Sequence, residues 1–232
     1  MMTAAKQLDP TIYPDTDYRG EGELQQLIDE LFRPLLARFL AAREKVAHVG
    51  SNTFIYYRQF DSSSRIAPDI YVLPGVPQSR IGRSWKLWEL GAPPSFALEV
   101  VSLHWDKDYY DAPLIHREIG TRELVIFDPE GRTRKEGSVW QVHRRVRGEL
   151  RPVERSQSDR VASRELGCFL RVVGNDDTQR LRIGTGSGGR VLFPTEAEAE
   201  RTEKEREREA RRALQSENAR LRREIRRLGG RS

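Results

Sequence analysis

Two carboxylates stand in otherwise apolar segments of the chain, thirty residues apart. Asp69 lies in the run Ala67–Val72, and Glu99 lies in the run Ser95–Ser102. An ionised carboxylate is rarely enclosed unless it is paired, hydrogen-bonded or bound to a metal, so each needs a compensating partner. On neighbouring strands the two would form a seat for a divalent cation such as Mg²⁺, which binds carboxylates together with water and phosphate. The structural alternative is that Asp69 caps a turn after Pro68 and Glu99 ends a strand beside an arginine.

Composition divides the chain into a globular part and a charged appendage. Its 232 residues suit one domain with a real core plus a short extension at each end. From Pro194 onward nearly every residue is Glu, Arg, Lys or Ala, whereas the preceding chain alternates apolar runs with turns rich in Gly and Pro. We therefore expect an N-terminal extension over residues 1–20, a globular domain over 21–194 and a charged helix over 195–232.

Charge and cysteine content exclude several classes of protein. The single Cys168 excludes a disulfide framework, and the absence of a long apolar stretch or a signal-peptide pattern predicts a soluble cytoplasmic protein with no membrane partner. The net charge is +5, but residues 195–232 hold 12 basic and 9 acidic side chains, so the rest carries only +2. Overall basicity is thus weak support for DNA binding by the globular part.

Hydrophobic periodicity predicts an α/β domain. Apolar residues at helical spacing predict a helix over Glu23–Arg43, with a kink or break at Pro34. A second, short helix is predicted over Leu114–Ile119, ended by Gly120. Short apolar runs predict four strands: Thr53–Tyr57, Ile70–Leu73, Phe96–Val101 and Glu123–Pro129. A hairpin at the edge of the sheet is predicted over Val139–Val153.

An ordered series of short motifs carries a family resemblance. The series consists of Val49–Ser51, Ala67–Asp69, Lys86–Gly91 with Pro93–Pro94, Leu98–Ser102, Trp105 and Asp108, Gly120–Leu124, Phe127–Pro129, Ser163–Gly167, Leu181–Arg182 and Gly189–Leu192. In this order the chain resembles the Uma-two family of restriction endonuclease-like proteins over residues 22–228. Many members of that family similarly end in a helix rich in Glu, Arg and Ala.

The resemblance implies a restriction-endonuclease-like fold, with a mixed central sheet flanked by helices and a charged C-terminal helix. It also implies a PD-(D/E)xK-like site in which Asp69 and Glu99 bind Mg²⁺ or Mn²⁺ and a lysine assists the attacking water. The substrate would be DNA. A bound metal would lower the pKa of its water and stabilise charge that develops on the phosphate.

The lysine is where the chain departs from the family pattern. Val101 stands two positions after Glu99, and members of the family instead tend to supply a lysine four residues after an aspartate that aligns with Asp108. Here that position is Ala112, whose methyl group cannot polarise water. Pro113 fits only near the start of a helix, so we expect Asp111 to cap one that begins late.

Other side chains are candidates for the missing parts of the site. Lys107 or Lys86 would reach into it on a long flexible stem, and we take Lys107 as the replacement catalytic residue; the alternative for both is an exposed solubilising charge. Glu23 or Glu30 would complete the metal shell, although glutamate on the polar face of a helix is more often solvated.

The four histidines show no zinc-site spacing and are interpreted as surface or hydrogen-bonded residues, and Cys168 as a packed, inert thiol.

The charged tail contains signs of a coiled coil. Thr195 and Glu198 have the spacing of a capping box at the start of a helix. Leu214, Asn218, Leu221, Ile225 and Leu228 then alternate at spacings of four and three residues, as in a coiled-coil seam with Asn218 at an a position. This seam predicts a homodimer through the C-terminal helix; the alternative is a single solvated helix stabilised by Glu and Arg pairs.

Three functions from different classes therefore stand open. The first is a Mg²⁺-dependent endonuclease acting on DNA through Asp69 and Glu99. The second is a catalytically inactive nuclease fold that binds DNA or protein, which the absence of the family lysine favours. The third is an oligomerisation protein whose active part is the coiled coil. Because both carboxylates are retained, we favour the endonuclease.

Overall fold

A mixed six-stranded sheet forms the centre of the protein. The computed structural model describes residues 26–101, 107–131, 139–174 and 179–229. The strand order is β1-β4-β6-β7-β8-β9, and only β6 and β7 run parallel to each other. The strands span Ala47–Gly50 (β1), Ile70–Pro74 (β4), Phe96–Val100 (β6), Glu123–Phe127 (β7), Trp140–Val146 (β8) and Glu149–Ser156 (β9). The predicted fold class, a mixed central sheet flanked by helices, is confirmed.

The parallel pair lies in the interior of the sheet because its strands are apolar on both faces. Every residue of β6 and β7 is buried, as expected for strands covered on two sides. The connection between them includes a π-helical turn, Lys107–Asp111, and the helix α3, Ala112–Ile119. Gly120 ends this helix in the left-handed conformation, with φ of 89°, as the sequence predicted.

One face of the sheet packs against the N-terminal helical segment. This segment consists of a π-helical turn, Ile28–Phe32, followed by the helix α1, Arg33–Ala41, with Pro34 in its first turn. Because proline has no N–H to bond to the preceding turn, the helix widens just before it, which is the break that Pro34 predicts. Phe32, Leu36 and Phe39 are buried in the same cluster as sheet residues.

The opposite face carries α3 and a small sheet. Three short strands, Ile55–Tyr56 (β2), Arg65–Ile66 (β3) and Trp85–Lys86 (β5), pair in the order β3-β2-β5, and the four-residue helix α2, Leu87–Leu90, follows β5. Trp85 of this small sheet packs on Tyr71 and Leu73 of β4, and its indole N–H donates to the Tyr71 hydroxyl at 2.6 Å. The segment predicted as a strand over Thr53–Tyr57 therefore forms a strand of only two residues, outside the central sheet.

The edge of the central sheet is the predicted hairpin. Strands β8 and β9 pair in an antiparallel register from Val146↔Glu149 onward, so the loop between them is Arg147–Gly148. Both loop residues have positive φ, 52° and 86°, which matches the right-handed twist of the flanking strands.

A second antiparallel sheet follows, which hydrophobic periodicity did not predict. Its four strands are Arg160–Ser163 (β10), Cys168–Val173 (β11), Arg180–Thr185 (β12) and Val191–Leu192 (β13). The buried Glu123 of β7 ties it to the central sheet, because its carboxylate accepts hydrogen bonds from the Ser163 hydroxyl and from the Arg164 backbone N–H at 3.0 Å. Cys168 is buried, and burial raises the pKa of its thiol to about 12.

The chain divides after Phe193 into two compact units, the second beginning at Pro194. That second unit contains one long helix, α4, Glu196–Gly229. The predicted capping box is confirmed: the Thr195 backbone N–H donates to Glu198 Oε2 at 2.8 Å, and the Glu198 backbone N–H donates to Thr195 Oγ1 at 3.3 Å. Within the described part of the chain, no helix is both long and apolar enough to cross a lipid bilayer.

Candidate metal and active site

The sheet register places Asp69 and Glu99 opposite each other. Strands β4 and β6 are antiparallel, with Ile70 paired to Leu98. One further step along this register aligns Asp69, the residue before β4, with Glu99 of β6. Directly opposed residues on antiparallel strands project their side chains from the same face of the sheet. The structure thus brings together the two carboxylates that the sequence singled out.

Backbone hydrogen bonds hold both carboxyl groups in place. The Val100 backbone N–H donates to Asp69 Oδ2 at 2.6 Å. In the reverse direction, the Asp69 backbone N–H donates to the carboxyl group of Glu99 and lowers its pKa. Each strand therefore uses a main-chain donor to orient the carboxylate of its neighbour.

Glu99 lies in an environment that disfavours its negative charge. Its pKa is raised to about 8, first by burial and then by the negative charge of Asp108, while Lys107 and the Asp69 N–H act in the opposite direction. Only 8% of the residue is exposed. A buried carboxyl group next to other acidic groups is a site where a cation would favour the ionised form. The oxygen donors of Asp69 and Glu99 therefore fit a hard divalent ion such as Mg²⁺.

Lys107 and Lys86, the two candidate lysines, lie in different surroundings. Lys107 begins the π-helical turn, is exposed, and its positive charge lowers the pKa of Glu99. Lys86 lies on β5 of the small sheet, and its ammonium group lies 3.3 Å from Glu89 Oε1. The structure thus places Lys107, but not Lys86, within electrostatic influence of Glu99.

A hydrogen bond between Tyr109 and Asp128 anchors the π-helical turn that carries Lys107. The Tyr109 hydroxyl donates to Asp128 Oδ2 at 2.6 Å, and Asp128, fully buried, directly follows β7. The Tyr109 ring packs against the apolar cluster on this face of the sheet. This contact holds the turn at the carboxyl ends of β6 and β7. Glu99 lies near the carboxyl end of β6.

Ala112, at the position of the family lysine, is buried and begins α3. Pro113 lies in the first turn of that helix, where a missing N–H costs no hydrogen bond. The expected side-chain cap from Asp111 is wrong: Asp111 has a helical backbone conformation and makes no capping hydrogen bond. The reason is that the π-helical turn runs directly into α3, so no non-helical cap residue separates them.

His116 is the site residue that the sequence did not identify. It is fully buried, with Nε2 2.9 Å from Glu99 Oε1 and Nδ1 2.9 Å from Thr121 Oγ1. Burial lowers its pKa to about 3, so the imidazole is neutral and its contact with Glu99 is a hydrogen bond rather than an ion pair. A surface position for this histidine is therefore wrong, while hydrogen bonding is right. The sequence signal that could have identified His116 is its spacing: it lies one helical turn after Ala112, the position of the family lysine, on the same face of α3.

The remaining candidate ligands do not join the site. Glu30 is exposed on the N-terminal helical segment, and Glu23 and His104 lie outside the described residues. His48 packs against Trp85, with ring centres 4.9 Å apart. Across the described ranges, no group of three or more His, Cys, Asp and Glu side chains is arranged to hold a metal ion. The two facing carboxylates would therefore need water or substrate oxygens to complete a coordination shell.

Fold and site together define a mixed α/β protein with a carboxylate pair on its central sheet. The model of the Uma2 family, described as "Putative restriction endonuclease", matches residues 18–170. The chain therefore belongs to the Uma2 family, as its motif order indicated.

One solved structure similar to this chain is that of a "putative nuclease belonging to DUF820" from Anabaena variabilis, with 14% sequence identity and a TM-score of 0.44. The similarity covers 64% of this chain and 75% of that one. No curated protein matches the sequence.

Proposed function

We propose that this protein is a metal-dependent endonuclease that hydrolyses phosphodiester bonds in DNA. The observation that supports this function best is the opposed placement of Asp69 and Glu99 on adjacent strands, each carboxyl group held by a backbone N–H of the other strand. Membership of a restriction endonuclease-like family supports the same reaction class.

Asp69 and Glu99 would hold Mg²⁺ or Mn²⁺ through their carboxylate oxygens. Such an ion supplies an acidified water as nucleophile and stabilises negative charge on the phosphate. The contribution of the protein is rigidity: the two carboxyl groups are fixed by the main chain of β4 and β6, so little reorganisation is needed when the charge at the site changes.

Lys107 takes the role of the family lysine in this proposal. Its positive charge already acts on Glu99, and its exposed ammonium group is free to approach a phosphate from solvent on a flexible stem. Tyr109 and Asp128 keep the turn that carries it next to the carboxylates. Lys107 therefore compensates for Ala112 by entering from the preceding turn rather than from α3.

We also propose that α4 joins two copies of the protein. Leu214, Leu221 and Ile225 are 61%, 46% and 68% exposed in the single chain, and Asn218 is exposed on the same seam. The side chain of Leu228, the last position of the seam, lies outside the described residues. An apolar stripe interrupted by one Asn at an a position is typical of a two-stranded parallel coiled coil. The proposed occupant of this stripe is the α4 helix of a second copy.

Cleavage of supercoiled plasmid and of single-stranded DNA tests the proposed function. Purified protein is incubated with either substrate and Mg²⁺ or Mn²⁺, beside the Asp69→Ala, Glu99→Ala double variant and an EDTA control. We expect metal-dependent nicking that the double variant lacks. Equal behaviour of the two proteins on both substrates would contradict the nuclease and favour the alternative, an inactive nuclease fold that binds DNA or protein.

A further inference from the structure

A buried chain of three side chains leads away from the candidate metal site. Glu99 contacts His116 at 2.9 Å, and His116 contacts Thr121 at 2.9 Å through its other ring nitrogen. His116 and Thr121 are both fully buried. Both nitrogens of the imidazole thus have a polar partner, and rotation of the ring would break two buried hydrogen bonds at once.

The end of α3 fixes the position of Thr121 relative to His116. The backbone N–H groups of Gly120 and Thr121 both donate to the carbonyl oxygen of His116, the latter at 3.0 Å. These two hydrogen bonds to one carbonyl oxygen form where the helix ends at Gly120, which has a left-handed conformation. Thr121 is therefore bound to His116 through both its backbone and its hydroxyl group, which sets the imidazole orientation.

His116 cannot touch DNA or the attacking water, because none of its surface is exposed. Its contact with Glu99 therefore acts on the carboxyl group alone. Carboxylates and histidines behind a metal are commonly fixed by such second hydrogen bonds, and loss of these bonds typically weakens metal binding by about 10- to 100-fold.

We infer that His116, oriented by Thr121, is a positioning residue that holds the Glu99 carboxyl group for binding of a divalent cation. This inference rests on the proposed metal site. It assigns a role to the face of α3 on which Ala112 supplies no polar group: His116, one turn further along, contacts Oε1 of Glu99.

The geometry also determines the tautomer of the His116 imidazole in the metal-bound protein. An ionised Glu99 only accepts hydrogen bonds, so His116 must donate to it through Nε2–H. Nδ1 then accepts a hydrogen bond from the Thr121 hydroxyl. The metal-saturated protein is thus expected to contain a neutral His116 in the Nε2–H form.

The Mn²⁺ affinity of the full chain, measured by titration calorimetry, tests the role of His116 and Thr121 without any DNA substrate. Thr121→Val removes the hydroxyl at nearly constant shape and should weaken Mn²⁺ binding about 10-fold, whereas Thr121→Ser should restore it. His116→Phe should weaken binding by about 10- to 100-fold. His48→Phe, the same change at a histidine packed on Trp85, should leave the affinity unchanged. Thermal unfolding of each variant shows whether it is folded.

Two results separate the inference from the proposed function. If the wild type binds Mn²⁺ and the Thr121→Val and His116→Phe variants bind it within about twofold of the wild type, the positioning role is wrong while the metal site stands. If the wild type binds Mn²⁺ no more tightly than the Asp69→Ala, Glu99→Ala variant, both the positioning role and the metal site are wrong. As a second readout, imidazole ¹⁵N NMR of the Mg²⁺-saturated wild type should show the Nε2–H tautomer of His116, and an Nδ1–H tautomer would overturn the inference.

Discussion

The backbone N–H of Asp69 donates to the carboxyl group of Glu99 on the adjacent strand. The Val100 N–H returns the interaction by donating to Asp69 Oδ2 at 2.6 Å. Main-chain N–H donors thus orient two acidic side chains across adjacent strands. A divalent cation bound by the two carboxyl groups would favour their ionised forms.

Lys107 is predicted to supply the positive charge that Ala112 cannot. Lys107→Ala should lower the rate of metal-dependent DNA cleavage about 100-fold, because one charge that stabilises the phosphate is lost. Adding Ala112→Lys to this variant should restore at least about 10-fold of the rate, since it returns a lysine to the family position. Single-turnover cleavage of a labelled DNA duplex measures both effects.

Lys86→Ala provides the matched control for Lys107. Lys86, at the end of β5, is paired with Glu89 of α2, so its removal should leave the cleavage rate within about twofold of the wild type. A large loss with Lys86→Ala, together with normal activity of Lys107→Ala, would transfer the proposed role to Lys86.

Tyr109 is predicted to anchor the π-helical turn through Asp128. Tyr109→Phe leaves the buried Asp128 carboxylate short of one donor and should lower the free energy of unfolding by about 1–3 kcal/mol. Tyr110 is 65% exposed, and Tyr110→Phe should change the same quantity by less than about 0.5 kcal/mol. Urea unfolding of the two variants makes the comparison, and equal stabilities would show that the Tyr109–Asp128 contact is not an anchor.

His143 is predicted to make the fold sensitive to acid. Burial, followed by the positive charge of Arg155, lowers its pKa to about 4, well below the ordinary value of 6.5. Between these pH values the unfolded chain binds a proton that the folded chain does not, so stability is lost as the pH falls from 6.5 to 4. The full contribution is about 3 kcal/mol.

The variant His143→Gln removes this titration. Urea unfolding at pH values across that range should therefore give a flatter profile for the variant than for the wild type. Parallel profiles for the two proteins would mean that His143 is protonated equally in the folded and unfolded states.

The α4 seam is predicted to make the protein a dimer. Leu221→Glu places a charge at a d position and should give a monomer by sedimentation equilibrium. Ser216→Glu adds the same charge at the outward f position and should leave the dimer intact. If the wild type is a monomer throughout the accessible concentration range, α4 is a single solvated helix.

The central strands and the carboxylate pair could be predicted from the sequence because local signals define them. Phe96–Val100 and Glu123–Phe127 are uniformly apolar apart from one acid each, which is typical of interior strands. The adjacency of Asp69 and Glu99 follows once their runs are taken as neighbouring strands, although their catalytic roles stay predictions. The Thr195 capping box was likewise local and is present.

What the sequence did not reveal depends on contacts between distant parts of the chain. His116 is a polar residue in an otherwise unremarkable short helix, and only the crossover of α3 over β6 brings it to Glu99, seventeen positions away. The second sheet, β10–β13, consists of strands with many arginines that read as surface, yet it is tied to the core through Glu123. Asp111 has the composition of a cap, but the preceding π-helical turn removes the need for one.

The most direct test of the account is DNA cleavage at saturating Mn²⁺ by the isosteric single variants Asp69→Asn and Glu99→Gln. Each replaces one carboxylate oxygen by an amide nitrogen and preserves the shape of the site. We predict that each variant is folded and that each loses at least about 100-fold of the wild-type rate, because both carboxylates are needed for the metal. Cleavage at the wild-type rate by either variant would contradict a metal site built from Asp69 and Glu99.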